Sequence, residues 1–160
     1  MEEKILHILE SNCRISLEQM AVMLDTDIES VHRTVEKLEK EGIIVGYKSL
    51  INWERTTAAK VKAIIELKVT PQRGKGFDAV AEKIYRYPQV TSVYLMSGGF
   101  DLGVIVEGKT MKEVALFVAE VLAPIDEVIS TATHFVLKTY KDYSIEFQKE
   151  EKDTRQVISL

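Results

Sequence analysis

The sequence contains one cysteine, Cys13, three prolines and one tryptophan in 160 residues, and no uninterrupted apolar run of membrane-spanning length. A single thiol forms no intrachain disulfide and cannot build a zinc site from several cysteines, and no neighbouring pattern activates it. A membrane helix needs roughly 20 predominantly apolar residues, so no span and no membrane partner are expected. The opening Met1-Glu2-Glu3-Lys4 lacks the basic region and apolar run of a secretory signal, and the expected location is cytoplasmic.

Signatures of catalysis are equally scarce. His7, His32 and His134 fall in separate segments, and no paired-carboxylate motif stands out. Gly74-Lys75-Gly76 lacks the four-residue spacer and Gly-Lys-Ser/Thr ending of a phosphate loop. The expectation is a protein that is not an enzyme and has no cofactor and no metal.

What is present is material for a folded core: 46% of residues are hydrophobic and 29% charged. The net charge of −4 is unhelpful for binding duplex DNA, whose affinity comes largely from neutralised phosphates. The deficit lies in the first third, where residues 1–57 carry 7 basic and 11 acidic side chains (7 − 11 = −4) while residues 58–160 carry 14 of each. Net charge still leaves room for one locally basic face.

That first third reads as three helices. Ile5, Leu6, Ile8 and Leu9 form an apolar stripe that stops near Ser11-Asn12. Ser16 with Gln19 three residues later is a capping box, and Leu17, Met20, Ala21 and Leu24 follow at one-face helical spacing. Asp25-Thr26-Asp27 breaks the chain, and Asp27 caps a third helix with stripe Ile28, Val31, Val35 and Leu38, ending at Gly42. Two short helices meeting across about three residues have the spacing of a helix-turn-helix, whose second helix enters the major groove. The outer face of the third helix carries Ser30, His32, Arg33, Thr34 and Lys37, candidate donors to bases and phosphates, although a solvated face with Glu29, Glu36 and Glu39 accounts for the same pattern. Ile43 to Ile51 reads as two short strands around a turn, a wing with Lys48 at its tip.

From residue 61 the period changes to two. Val61, Ala63, Ile65, Leu67 and Val69 alternate with Lys62, Glu66 and Lys68. A helix with Phe77, Val80, Ala81 and Ile84 ends before Pro88, and strands 90–96 and 101–107 are joined by Ser97-Gly98-Gly99-Phe100. Thr110 and Glu113 cap a helix with stripe Met111, Val114, Ala115, Val118 and Leu122, and a long strand is expected over 127–140. The order is strand, helix, strand, strand, helix, strand: an α+β protein with a ferredoxin-like βαββαβ domain behind a winged helix-turn-helix. The expected domains are 1–57, 58–140 and a C-terminal tail 141–160 whose apolar end, Val157 to Leu160, either docks or hangs loose. Ile64, Ile105 and Val136 would meet water on the second sheet face unless another copy covers them, which predicts a homodimer. In the Gly98-Gly99-Phe100-Asp101 turn, glycines admit a ligand to backbone N–H groups and Asp101 can accept from an ammonium; an ordinary hairpin turn explains the same residues.

Three blocks in order resemble the Lrp/AsnC family of leucine-responsive, or feast/famine, regulators: Leu38 to Tyr47, Val93 to Leu102, and Ser130 to Thr133 leading through Phe135 to Lys138. The resemblance implies a regulator bound to double-stranded promoter DNA, an amino-acid-like effector, and dimers that assemble further, often to octamers. It implies effector contacts at Gly98, Gly99, Phe100 and Asp101, with Thr131 and Thr133 beside them. The third helix departs from the family pattern in having Asp27 at the cap and Thr34 beside Arg33. The alternative function is a metabolite-binding oligomer that acts through protein partners with weak or no DNA binding.

Overall fold

The computed structural model describes residues 1–71, 73–74 and 76–147; the expected apolar terminus lies outside the described residues, as does Lys75. The chain divides between Ile51 and Asn52 into two compact units.

In the first unit, α1 (Glu2–Ser11), α2 (Leu17–Leu24) and α3 (Ile28–Lys40) enclose Ile5, Met20, Ala21, Val31 and Leu38. The capping box forms: the Gln19 N–H donates to Ser16 Oγ, and Gln19 Oε1 accepts from the Ser16 N–H, each at 3.2 Å. Asp25 takes a left-handed conformation (φ 51°) that turns α2 towards α3. Asp27 accepts from the Ser30 N–H at 2.8 Å and the Ser30 hydroxyl at 2.6 Å, fixing the start of α3. Gly42, at φ 69°, reverses the chain so that the Ile43 N–H returns to the Leu38 carbonyl.

The expected wing strands do not form. Residues 43–51 contain no strand, and Val45 is 94% exposed. An isolated hairpin is marginal in water without an apolar face to cover. The Tyr47 hydroxyl instead donates to Glu39 at 2.8 Å, tethering the segment to α3.

In the second unit β1 (Val61–Val69), β2 (Val90–Leu95), β3 (Leu102–Gly108) and β4 (Val128–Phe135) form an antiparallel sheet in the order β2-β3-β1-β4. Ala63, Ile65, Leu67 and Val69 of β1 and Leu102, Val104 and Val106 of β3 pack on Val80 and Ile84 of α4 (Asp78–Tyr85) and on Val114 and Phe117 of α5 (Met111–Phe117). This is the expected α+β, ferredoxin-like plan.

Two details depart from expectation. Met111 and Ala115 are exposed, and the buried stripe runs instead through Val114, Phe117, Val118 and Leu122, a face rotated from the expected one, with a π-helical turn over Val118–Leu122. β4 ends at Phe135, well before residue 140: the Val136 N–H reaches the Lys62 carbonyl near the start of β1, and no partner strand remains for Leu137. The following residues form a small ribbon, β5 (Lys141–Asp142) with β6 (Ile145–Glu146), which lies at the start of the expected tail.

Candidate functional site

Two groups of candidate residues fall in separate units. On α3, His32, Arg33 and Lys37 are exposed, as is Lys48 beyond the helix. Thr34 is not: it is 9% exposed, and its hydroxyl donates to the Ser30 carbonyl at 2.7 Å, one turn back in the same helix. Its place in the outward donor set is therefore corrected, since α3 turns that position towards α1 and α2. Ser30 is half-buried and its hydroxyl is committed to Asp27, whose carboxyl is held below its ordinary range by the Ser30 hydrogen bonds.

The cations of α3 are not equally available. Lys37 Nζ sits 2.7 Å from Glu2 Oε1 and 3.9 Å from Glu41, and the hydrogen bond with Glu2 raises the lysine and lowers the carboxyl from their ordinary values. His32 and Lys40 each lie 3.9 Å from Glu36. Among the described residues Arg33 has no carboxylate within ion-pair distance. Sequence reading recognised Glu36 as a neighbour but missed Glu2, because a contact across 35 positions leaves no local spacing signal. Burial, with help from the Glu39 bond, pushes the Tyr47 phenol up to about 12.

In the second unit the Gly98 to Asp101 turn closes β2 onto β3, with the Met96 N–H donating to the Asp101 carbonyl at 2.8 Å. Gly98 has φ 146°, a conformation L side chains rarely adopt, with open space where a Cβ would project. Asp101 is bonded twice to β1: its N–H donates to the Leu67 carbonyl, and its Oδ2 accepts from the Val69 N–H, both at 2.9 Å. The second bond lies where the β1–β4 register shifts, between Lys68 and Val69. Phe100 and Met96 lie over Gly103, where a Cβ would stand 3.5–3.6 Å from their side chains. Gly103 pairs with Glu66, on the sheet face opposite the helices, so Phe100 belongs to the face of Ile64 and Ile105.

Thr131 pairs with Leu67, and Thr133 with Ile65, on the helix-covered side. Since Leu67 also pairs with Leu102, β1 stands between Thr131 and the hairpin, about 10 Å at ordinary strand spacing. Within the chain the structure thus gathers Gly98, Gly99, Phe100 and Asp101, and leaves the two threonines across the sheet. The open face also carries a polar pair missed in the sequence, His134 Nε2 at 3.4 Å from Glu66.

Comparison with known proteins fits this two-part arrangement. Residues 1–45 match the model for a winged helix-turn-helix DNA-binding domain, and residues 62–145 match that for the Lrp/AsnC ligand binding domain. The chain belongs to the Lrp/AsnC family of transcriptional regulators. It is 46% identical over 159 residues to the uncharacterized HTH-type transcriptional regulator YugG of Bacillus subtilis, covering 99% of this chain and 96% of that protein. A second HTH-type regulator, from Pyrococcus furiosus, is 31% identical over 89% of this chain and 93% of its own length.

Solved Lrp/AsnC-like structures share the fold. A transcriptional regulator of Neisseria meningitidis, solved as an L-Met complex, aligns with TM-score 0.71 and 24% identity over 88% of this chain and 90% of that one. Escherichia coli AsnC aligns with TM-score 0.67 and 23% identity over 86% and 91%. The protein is thus a DNA-binding transcriptional regulator of Lrp/AsnC type with a ligand-binding domain, and no described helix is long and apolar enough to cross a membrane.

Proposed function

We propose that this Lrp/AsnC regulator binds promoter DNA through α3 and changes its assembly or DNA affinity when an amino acid or related small metabolite binds at the Gly98 to Asp101 turn. The observation that carries this reading is the turn itself: a glycine at φ 146°, open backbone, and a carboxylate of which, among the described residues, one oxygen is committed to Val69. Asp101 Oδ1 is the acceptor for an ammonium. The methionine complex of the Neisseria regulator motivates an amino acid as ligand. Thr131 and Thr133 serve only if another protomer brings them to the ligand.

Arg33, His32 and Lys37 are the DNA contacts on α3, with Lys48 on phosphate from the extended segment. Ser30 fixes the helix start. A second copy of the chain covers Ile64, Ile105 and Val136 to give a homodimer that assembles to higher oligomers such as octamers. Coupling requires that the ligand prefer one assembly over another. The carboxylates beside Lys37, His32 and Lys40 favour a second reading, in which weak DNA affinity leaves the metabolite-binding oligomer to act through protein partners.

The test is a thermal-shift screen of amino acids followed by sedimentation and DNA titration with each hit. Asp101→Asn keeps an acceptor for the Val69 N–H while removing the charge, so it should abolish the ligand-induced change and leave the fold intact. An unaltered response moves the ligand elsewhere. Equal affinity for upstream and random DNA at every salt concentration favours the second reading.

A further inference from the structure

Several acidic residues of the first unit stand beside its cations. His32, Lys37 and Lys40 of α3 each lie within 4.0 Å of a carboxylate, and only Arg33 does not, among the described residues. The tightest of these contacts is the one α3 does not make with itself: Glu2, at the start of α1, meets Lys37 at 2.7 Å. That is the length of a charge-assisted hydrogen bond, and a phosphate oxygen would approach the same ammonium at the same distance.

We propose that Glu2 is an internal phosphate mimic that occupies Lys37, so that DNA gains this contact only by displacing Glu2. The proposal rests on α3 facing DNA. Both side chains remain about half exposed, 53% for Lys37 and 49% for Glu2, so the pair is exchangeable and not a buried structural bond. Glu41, at 3.9 Å, is the weaker competitor for the same ammonium. A lysine held in this way adds little to affinity and releases few counterions, so the regulator binds DNA more weakly, and with a shallower salt dependence, than its cations alone would give. The neighbouring Glu3 is the internal control: its carboxylate lies 3.9 Å from His7 on the same helix, so it carries the same charge without the lysine.

The experiment measures binding of the full-length protein to a labelled duplex from the region upstream of its gene, and to a random duplex, across a salt series. Glu2→Gln should tighten binding about two- to fivefold at low salt, the range of an exposed ion pair. It should also steepen the log–log salt slope by up to about 0.9, one phosphate contact. Both effects should vanish when Lys37→Met is combined with it, and Lys37→Met should cost more in the Glu2→Gln protein than in the native one. Glu3→Gln should change neither quantity appreciably. An equal gain from Glu3→Gln, or a gain that survives Lys37→Met, overturns the proposal in favour of a general field effect. Arg33→Ala separates the two levels: if it weakens binding while Glu2→Gln is neutral, only the mimic is wrong, whereas if it too is neutral, the DNA-facing reading of α3 falls and the mimic with it.

Discussion

The two units are held together in different ways. Among the described residues, five buried side chains form the core of the helical unit, whereas thirteen form that of the sheet unit. The helical unit adds fixed helix ends, through Ser16, Asp27 and Gly42. The sheet unit relies on register, each strand of β1, β3 and β4 having its partners set over several consecutive pairs. The smaller core leaves the helical unit with the narrower margin against loss of a buried side chain, and its acidic excess sets a Coulombic cost against any approach to a polyanion that the charge-balanced sheet unit does not share.

The strongest way to break this comparison is Leu38→Ala, which empties part of the smaller core and should cost about 2–5 kcal/mol. A domain has only about 5–15 kcal/mol in total, so the helical unit should open while the sheet unit persists. Amide exchange resolved by residue checks this; simultaneous loss of protection in both units would show that their stabilities are not separate. In the sheet unit, Gly108→Ala should cost about 1–3 kcal/mol by overpacking, since the added Cβ would stand 2.9 Å from Val114 Cγ2. Denaturant titration should register that loss in strand protection and leave α1 to α3 unaffected. The smallest effect is acid sensitivity at the α3 cap. The Asp27 carboxyl is depressed from its ordinary 3.8 by Ser30, so its stabilisation is complete above that value and fades as the pH falls through the folded one. Asp27→Asn should flatten this component of the pH–stability curve of the helical unit; an unchanged curve would remove the cap from the account.

Much of this was legible in the sequence because it was local. Ser16 and Gln19 stand three residues apart, Asp27 directly precedes α3, and β1 alternates without a break, so caps, helix spans and the sheet plan could be read in advance. What escaped depends on partners remote in sequence. The two short apolar runs in residues 43–51 form no strands, and Tyr47 turns to Glu39. In α5 the face through Val114 and Phe117 meets the sheet, not the face through Met111 and Ala115; both faces carry apolar residues at helical spacing, so the sequence alone left the choice open. Thr34 is polar in type but faces inward by angle. At the candidate ligand turn the glycines and Asp101 were visible, yet the bond from Asp101 to Val69 was not, since it spans 32 positions.

That bond has an evolutionary consequence. On the proposed reading, one carboxylate has two duties: it holds the end of β1 through Val69, and it supplies the charge for the ligand's ammonium. Most replacements at position 101 would disturb architecture and recognition in the same step, so ligand preference is more freely retuned by the residues around the turn than by the turn's own acid. Asparagine is the exception, able to keep the first role while surrendering the second.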